Sequence, residues 1–475
     1  MEKNIEEKIT EISKIQQTIN KENRKNAVID SASFRDPSGY VLHFNNEIYR
    51  VIKDNYKDEY NHLIESGLYD KLVSENLILK HWDTQPPTST MFNFKEYYKI
   101  IKQEKVRFIS YPYEWSFDML KDASLVTLRI QNISMEFGMS LKDASAYNIQ
   151  FQNGKPVLID VTSFDMYANG PWKAYRQFCE HFLAPLALMA KKDIRISQLF
   201  MSNIDGIPLD IAAEIIPKST FTNFGLAAHI HAHARAQKHY EDKKIKKQKL
   251  GKMQLLGIIA SLKSTILGLK IKQKTEWADY YRDTNYSESA FKNKQTIVKE
   301  MLDKISSDMV IDLGANDGTI SKIASENSFV ISMDIDPIAV NTNYLNSNGR
   351  INPIVANLAN PSPAIGWANC ERISLIDRLG KNTCLALALI HHLRITYGIP
   401  LEKQFDIFSK ISKHLIIEFI PKDDSQVKRL LQNRPDVYDD YTGDMFEEIA
   451  EQDFTIIDSK PVGNSLRKIY LMNSK

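Results

Sequence analysis

From Thr275 to the C-terminus, short apolar runs alternate with segments of helical periodicity, and this alternation constrains the fold more than any other feature of the chain. Most of the runs are continuously hydrophobic, as expected for strands buried on both faces of a mainly parallel sheet. The candidate strands read MVIDLG, FVISMDID, INPIVAN, CLALALIHH, HLIIEF, FTIID and RKIYLMN. The pattern therefore predicts a doubly wound α/β fold for residues 275–475.

A turn of small residues follows the first of these runs. The stretch DLGANDG at residues 312–318 joins an apolar strand to the start of a helix. Small residues let the backbone approach a ligand closely, and a helix N-terminus presents unpaired N–H groups to it. The next candidate strand ends in Asp334, about 20 residues after Asp312, where a carboxylate is placed to accept hydrogen bonds from a ribose. Asp336 is the alternative if that strand ends later.

DLGANDG and the acid-ended strand after it resemble the first two motifs of class I, Rossmann-like, S-adenosylmethionine-dependent methyltransferases. That family usually has a further glycine where this chain has Asn316, and asparagine is the non-glycine residue that best tolerates a positive φ. The resemblance implies S-adenosylmethionine as the cofactor, with residues 314–318 against its methionine part, Asp334 on the ribose and Asn357 near the adenine. The implied cofactor-binding residues are Asp312, Gly314, Ala315, Asn316, Gly318, Asp334, Asp336 and Asn357. A nicotinamide-dependent dehydrogenase is the competing interpretation, but it requires a G-x-G-x-x-G spacing that this turn does not supply.

Aromatic residues cluster just before the first strand of this half, in the stretch TEWADYYRDTNYSESAFKNK. They are Trp277, Tyr280, Tyr281 and Tyr286. Side chains at this place would either fold over the cofactor and exclude water, or plug the edge of the sheet. Trp277 and Tyr281 are the two candidates for contact with the cofactor.

Candidate proton acceptors follow the fourth and fifth strands, on the side where the resemblance places the transferred methyl group. His391 and His392 come after the fourth run, and an imidazole titrates near neutrality. Glu418, in LIIEFIPKDDSQ, is the other candidate. Each residue also fits a hydrogen-bonded structural role. Because methyl transfer depends mainly on in-line positioning, a base is not obligatory.

A second constellation lies in the N-terminal half, in the stretch GMSLKDASAYNIQFQNGKPVLIDVTSFD. Asp143 and Asn148 have the spacing D-x-x-x-x-N, and Asp160 follows at the end of a strand, after a predicted helix at about 120–137. This order resembles the catalytic core of protein-kinase-like and aminoglycoside-phosphotransferase-like enzymes and implies an α+β kinase-like domain. Carried over, Asp143 would be the base, and Asn148 and Asp160 would hold magnesium on the phosphates of ATP.

The N-terminal half also departs from that family's pattern. A leucine and a lysine precede Asp143, no D-F-G begins at Asp160, and neither a glycine-rich loop nor a V-A-I-K lysine is present. Arg50 and Lys53, at the end of a predicted hairpin over residues 40–52, are the candidates for contact with phosphates. A recognition domain in which the Asp and Asn residues cap turns is the alternative.

These patterns divide the chain into four segments. Residues 1–26 are predicted to be a polar helical extension, 27–240 the kinase-like domain, 241–274 a basic amphipathic linker helix and 275–475 the methyltransferase-like domain. Within the linker, the stretch 251–272 would either cover a neighbouring core or lie on a membrane surface.

Three alternate histidines, His229, His231 and His233 in HIHAHAR, are a further candidate site. Without a carboxylate or cysteine nearby, a solvated and mildly basic face is the favoured interpretation over a metal site.

The composition favours a cytoplasmic protein that does not act on nucleic acid. The net charge of +2 gives the molecule no strong attraction for a polyanion. Cys179, Cys370 and Cys384 lie far apart, which indicates neither a disulfide framework nor a zinc site and fits a reducing compartment. The N-terminus is charged throughout, and no apolar run of about 18 residues occurs, so neither a signal peptide nor a transmembrane helix is predicted.

Motifs spread over most of the chain extend the resemblance. RDPSGY, SGLYD, YPYEWSF and LKDASAYN are similar to segments of bacterial two-part methyltransferases linked to nodulation or surface polysaccharides. This implies methyl transfer from S-adenosylmethionine to a small molecule or glycan, with a kinase-like half that recognises or phosphorylates the same acceptor. A kinase with an accessory methyltransferase fold and a scaffold of two degenerate domains are the alternatives.

Overall fold

The structure is a computed structural model that describes residues 27–87, 97–240, 250–271, 288–432 and 435–475. Its strands are β1 (Val28–Ile29), β2 (Gly39–Phe44), β3 (Glu47–Ile52), β4 (His81–Asp83), β5 (Lys99–Gln103), β6 (Met139–Leu141), β7 (Ile149–Gln152), β8 (Lys155–Leu158), β9 (Phe164–Met166), β10 (Met309–Leu313), β11 (Phe329–Asp334), β12 (Ile351–Val355), β13 (Asn382–Ala386), β14 (Ser412–Phe419), β15 (Phe454–Pro461) and β16 (Lys468–Ser474). Its α-helices are α1 (Lys57–Glu65), α2 (Leu68–Ser74), α3 (Phe117–Glu136), α4 (Tyr175–Phe178), α5 (Ala184–Lys191), α6 (Leu199–Ser202), α7 (Leu209–Ile215), α8 (Phe224–Leu226), α9 (His233–Tyr240), α10 (Lys252–Leu267), α11 (Glu288–Asp303), α12 (Thr319–Ala324), α13 (Pro337–Asn346), α14 (Leu375–Leu379), α15 (Leu401–Ile411), α16 (Ser425–Leu431) and α17 (Gly443–Asp453).

The C-terminal half is built on one twisted sheet with helices between its strands. Within the described residues, this sheet has seven strands in the order β12-β11-β10-β13-β14-β16-β15. The five strands from β12 to β14 run parallel, and β16 lies antiparallel between β14 and β15. Every apolar run predicted as a strand forms one, and the doubly wound, Rossmann-like fold is confirmed. Because the chain turns back between β10 and β13, a crevice opens at their carboxyl ends.

The N-terminal half has the predicted α+β, kinase-like fold. In the described chain, an antiparallel sheet of order β1-β2-β3-β5-β4 comes first. The long helix α3 follows, and the small pairs β6–β9 and β7–β8 then hold the loops after it. Both predicted hairpins form, and their turns explain why: Asn45 and Asn46 have φ of 49° and 63°, and Asn153 and Gly154 have φ of 50° and 72°. Two successive positive φ values match the right-handed twist of hairpin strands.

Helix α10 lies in the stretch 251–272, which the sequence predicted either to cover a neighbouring core or to lie on a membrane surface. The helix packs on the core of the N-terminal half. Leu255, Ile259, Leu262 and Ile266 are all buried there. This arrangement agrees with the interpretation that the helix covers a neighbouring core. None of the helices in the described part of the chain combines the length and apolarity needed to cross a membrane.

The three alternate histidines do not form the solvated face that the sequence predicted. They lie in a continuous helical segment, and His229 and His231 are buried. The His229 ring bonds the Tyr175 hydroxyl at 2.7 Å and the Ser261 hydroxyl at 2.9 Å. The prediction was wrong because it assumed exposure, whereas Tyr175 and α10 cover His229, and Thr220 and Phe221 cover His231. Burial lowers the pKa of His229 to about 4.

The two halves pack directly against each other through α3 and α13. Asp118 and Asn341 exchange two hydrogen bonds of 2.8 Å, and the Tyr344 hydroxyl donates to Asp122 at 2.7 Å. Beside them, the Asn153-Gly154 turn meets Gly349: a Cβ on Gly349 would lie only 2.7 Å from the Asn153 carbonyl oxygen. The contact therefore requires bare backbone on both sides.

Candidate cofactor site and kinase-like cleft

A cavity of about 340 Å³ lies at the carboxyl ends of β10 to β13. Residues that follow each of these four strands line it, together with Phe291 and Lys294 of α11. Its walls are mostly apolar, and the polar side chains in them include Asp334, Asn357 and His392. A concave, mainly apolar site with a few convergent polar groups, at the switch point of an open sheet, is typical of a ligand-binding site.

The turn after β10 forms one wall of the cavity. Gly314, Asn316 and Gly318 have φ of 76°, 51° and 80°, so asparagine does adopt the left-handed conformation where the related motif has a glycine. The N–H groups of Gly314 and Ala315 both donate to the Met333 carbonyl at 2.9 Å, which fixes the turn against β11. Gly318 serves packing instead: a Cβ there would lie 2.2 Å from the Asn343 side chain.

Asp334 borders the cavity at the end of β11. Its Oδ2 accepts from the Asn316 N–H and its Oδ1 from the Asp336 N–H, both at 2.8 Å. Burial raises its pKa to about 6. Asp336, the alternative ribose ligand, is buried and caps α13 by accepting from the Ile338 N–H at 2.8 Å. Of the two carboxylates, Asp334 is therefore the one at the cavity wall.

Asn357, the residue expected near the adenine, also lines the cavity. Its Oδ1 accepts from the Ala359 N–H at 2.9 Å, so the side chain is held by the loop that follows β12. The structure thus brings Asp312, Gly314, Ala315, Asn316, Asp334 and Asn357 around one space.

Lys294 was missed by the sequence analysis, because a lysine within an amphipathic helix gives no local signal. Its Nζ donates to Glu418 Oε2 at 2.7 Å, and both side chains are buried. The lysine reaches the cavity wall, whereas Glu418 lies behind it on β14. Asp312 also lies at the wall, where burial raises its pKa to about 6 and the Ser321 hydroxyl donates to it at 2.6 Å. The end of the cavity near β10 therefore carries a buried charge network.

Of the two histidines, His392 lines the cavity and His391 is buried beneath it. Their ring centroids are 4.2 Å apart. Burial lowers the pKa of His392 to about 4, and burial together with nearby positive charge holds the pKa of His391 well below its usual value. Just before them, Ala388 has a φ of 53°, a left-handed conformation that is unusual for alanine and shapes this wall. Trp277, Tyr280, Tyr281 and Tyr286 lie outside the described residues.

The structure also assembles the predicted constellation of the N-terminal half. The Asn148 amide donates to the Ser163 hydroxyl at 3.2 Å, and that hydroxyl donates to Asp160 Oδ2 at 2.7 Å. Asp143 accepts from the Gln177 amide at 2.8 Å. Burial, and then the nearby charge of Asp160, raise the pKa of Asp143. Asp143, Asn148 and Asp160 therefore lie close together, in the order that the kinase-like resemblance implied, and we call this cluster the kinase-like cleft.

Arg50 of β3 enters the same cleft, and its Nη1 lies 2.6 Å from Asp160 Oδ1. Asp160 Oδ1 also accepts from the Thr162 N–H at 2.9 Å. The attraction of Arg50, with the hydrogen bonds from Thr162 and Ser163, outweighs burial and lowers the pKa of Asp160. Both Asp160 oxygens already accept hydrogen bonds, and a cation lies beside one of them. The arrangement therefore does not fit a magnesium ion on Asp160.

A long segment of the C-terminal half, residues 357–378, runs from the cavity to the interface between the halves. At its start, Asn357 lines the cavity. At its end, Arg378 forms a buried ion pair with Glu114. Between them, the Arg372 guanidinium lies 4.2 Å from the ring centre of Tyr147. Tyr147 belongs to the loop that carries Asp143 and Asn148. One segment thus contacts both candidate sites.

The fold and the cavity define a class I, Rossmann-like methyltransferase fold joined to a kinase-like half. No protein-family model matches the chain. The nodulation protein NoeA of Rhizobium meliloti (strain 1021) is 30% identical over 454 residues, which cover 93% of this chain and 95% of that protein. The chain therefore belongs to the NoeA family.

Solved structures are similar over smaller parts of the chain. One of the protein WbdD, described in another of its structures as a bifunctional kinase-methyltransferase, is 18% identical with a TM-score of 0.31. The match covers 43% of each chain, so this chain spans less than half of WbdD's length. Magnesium protoporphyrin IX methyltransferase from Synechocystis PCC 6803, with bound SAH, is 16% identical with a TM-score of 0.29, over 42% of this chain and 92% of that one. At such TM-scores, neither likeness bears on the chemistry.

Proposed function

We propose that the C-terminal half binds S-adenosylmethionine in the cavity and transfers its methyl group to a small molecule or glycan. The observation that supports this most directly is the position of Asp334, whose carboxylate borders a mostly apolar cavity beside the left-handed turn at Gly314 and Asn316. An adenosine with an amino-acid tail needs such a site: an acceptor for two hydroxyls, apolar walls for the base and exposed backbone for the tail. When bound, the cofactor supplies a sulfonium-activated methyl group.

The residues of the cavity then have distinct roles in the proposal. Asp334 accepts hydrogen bonds from the ribose hydroxyls, and Asn357 faces the base. The Gly314 turn lets the backbone approach the methionine part. Lys294 supplies positive charge at the wall near Asp312. Glu418 holds that lysine in place by accepting a hydrogen bond of 2.7 Å from its Nζ.

His392 is the proposed hydrogen-bond acceptor for the group that receives the methyl. Because its pKa is lowered to about 4, the ring is neutral near pH 7, and a neutral imidazole can accept a proton or a hydrogen bond. His391 holds His392 in position from beneath, and Glu418 holds Lys294 in position. Positioning remains the main contribution to rate, because methyl transfer depends on in-line approach.

The kinase-like half would recognise the same acceptor. Its Asp143, Asn148 and Asp160 share a cleft, and the segment 357–378 links that cleft to the cofactor cavity. Phosphorylation with ATP and magnesium, the other activity that the resemblance implies for this half, is not supported, because Arg50 is paired with Asp160. Two inactive scaffolds are the alternative for the whole chain. The division of the chain at 1–26, 27–240, 241–274 and 275–475 stays a proposal, and separate hydrophobic cores in the two halves support a boundary between them. Residues 1–26 lie outside the described residues.

The test is calorimetric titration of the full chain with S-adenosylmethionine and with its demethylated product. The Asp334→Asn variant keeps the shape of the side chain and removes its charge. The matched control is Asp308→Asn, an exposed residue before the amino end of β10. We expect micromolar binding, weakened at least about tenfold by Asp334→Asn, the effect of losing a charge-assisted hydrogen bond, and unchanged in the control.

A second variant tests the turn by steric block. Gly314→Arg places a large side chain at a positive φ on the cavity wall, whereas the control Gly257→Arg adds it to an exposed helical position with open space around it. Folded native protein that binds neither ligand would refute the proposal. If the native protein and Asp334→Asn bind S-adenosylmethionine with equal affinity, Asp334 does not bind the ribose as proposed.

A further inference from the structure

The kinase-like cleft contains a cation of its own. Arg50 lies on β3, between β2 and β5, so the sheet fixes its backbone on both sides. Only 8% of its side chain is exposed, and Nη1 reaches Asp160 Oδ1 at 2.6 Å and the Thr162 hydroxyl at 3.2 Å. The guanidinium is therefore held in the cleft from the sheet side and from the loop side.

Carboxylates surround this guanidinium. The Thr162 hydroxyl lies 2.6 Å from Asp160 Oδ1 and 2.8 Å from Asp36 Oδ2, so Asp36 and Asp160 share its single proton. Asp143 is close enough for the charge of Asp160 to raise its pKa. Lys142, the other basic side chain of the loop, instead donates to Ser38 at 2.7 Å and lies over the Tyr56 ring. Arg50 is thus the positive charge in contact with Asp160.

A magnesium ion needs oxygen ligands at about 2.0–2.1 Å in octahedral geometry. At Asp160 Oδ1 it would have to displace Arg50 or Thr162, both of which donate to that oxygen. At Oδ2 it would compete with the Ser163 hydroxyl and would lie beside the same guanidinium. Arginine cannot release its charge by losing a proton, so a displaced guanidinium would remain as a neighbouring cation. Electrostatics and hydrogen bonding therefore both oppose metal entry.

We infer that Arg50 is a built-in counter-cation that closes the Asp160 carboxylate against divalent metal ions, so that the kinase-like half does not take up magnesium as folded. Asp160 is then paired within a recognition surface and does not serve as a metal ligand for phosphoryl transfer. This inference is independent of the proposed methyl transfer, because it concerns only residues of the N-terminal half.

The test measures divalent metal directly, with Mn²⁺ as the probe and its electron paramagnetic resonance signal as the readout. The full-length native protein should leave the free-ion signal unchanged. In Arg50→Gln, the Asp160 carboxylate loses its counter-cation, and we expect the free-ion signal to fall as Mn²⁺ binds. The double variant Arg50→Gln/Asp160→Asn should lose that binding again. Arg195→Gln, which breaks the exposed Arg195–Asp193 pair of 2.6 Å, is the matched control and should bind no Mn²⁺.

The outcomes separate clearly. Mn²⁺ binding by the native protein that disappears in Asp160→Asn would overturn the inference. Folded Arg50→Gln that gains no Mn²⁺ binding would overturn it as well. If Arg50→Gln does not fold, the native protein decides through titration with Mg²⁺ and a non-hydrolysable ATP analogue. Heat of binding that depends on Mg²⁺ and is lost in Asp160→Asn refutes the closed site, and no such heat supports it. Circular dichroism and thermal unfolding of the full chain show whether each variant is folded.

Discussion

Arg378 and Glu114 form a buried, two-pronged ion pair across the interface between the halves. Nη1 lies 3.0 Å from Oε2, and Nη2 bonds Oε1. The guanidinium also lies 4.3 Å from the ring centre of Tyr111, and Nη1 donates to the Ile109 carbonyl at 2.7 Å. A planar fork that makes contacts of this kind cannot be replaced by the point charge of lysine.

Arg378→Ala should therefore destabilise the contact between the halves. Removing one partner leaves the Glu114 charge buried and unpaired, at a cost of about 3–5 kcal/mol. We expect calorimetric unfolding to separate into two transitions, and Arg378→Lys to restore little of the loss. Arg195→Ala, at an exposed ion pair, serves as the control and should change stability by less than about 1 kcal/mol. A single unshifted transition in Arg378→Ala would contradict the prediction.

Lys294→Met should lower the free energy of unfolding by about 3–5 kcal/mol, because it leaves Glu418 charged in a buried position. The double variant Lys294→Met/Glu418→Gln removes the stranded charge and should regain part of that loss. Urea denaturation measures both. If the double variant is less stable than Lys294→Met, the pair does not act as described.

Affinity for S-adenosylmethionine should depend on pH through Asp334. Its pKa is about 6 in the folded protein, and the ionised carboxylate is the better acceptor for two hydroxyls. Affinity should then be constant above pH 7 and fall toward about tenfold per unit below pH 6. Asp334→Asn should bind more weakly and with a smaller pH slope; the remaining slope would report Asp312. A native affinity that is the same at pH 5 and pH 7.5 would exclude this role.

His229 should make the protein sensitive to acid. Its folded pKa of about 4 lies below the 6.5 of the unfolded chain, so the unfolded state takes up the proton first. This contribution to stability is complete above pH 6.5 and is lost as the pH falls toward 4, at up to about 1.4 kcal/mol per pH unit. His229→Gln should show a shallower decline in thermal stability over this range.

Tyr175→Phe is the control for this prediction, because it removes the hydrogen bond to His229 but keeps the titrating ring. It should lower stability while retaining much of the native slope. Identical slopes in the native protein and His229→Gln would show that the other buried histidines account for the acid sensitivity.

The sequence predicted the structural features that depend on residues close together in the chain. Continuous apolar runs gave the strands around β10, and paired Asn and Gly residues gave the hairpin turns, because strand burial and positive φ leave a signature within a few residues. The left-handed Asn316 followed from the family resemblance, which places a glycine there, and from the tolerance of asparagine for a positive φ. The position of Asp334 followed from the rule that ligands bind at the carboxyl ends of parallel strands, and that of Asn357 from the resemblance.

Contacts between distant residues could not be predicted in this way. The Arg50–Asp160 pair joins positions 110 residues apart, and Lys294–Glu418 joins positions 124 apart. The short strands β4 and β5 were missed because sheet pairing, and not periodicity, defines them. His229 of HIHAHAR was misassigned because nothing in its own segment shows that Ser261 and Tyr175 cover it.

The facing turns at Gly154 and Gly349 make the sequence of each half depend on that of the other. A Cβ on Gly349 would lie 2.7 Å from the Asn153 carbonyl oxygen, and one on Gly154 would lie 3.2 Å from the Gly349 Cα. A side chain gained by either turn would push against the other half. Exchange of one half with that of a relative would thus disturb the interface unless the donor half also has a glycine at this position.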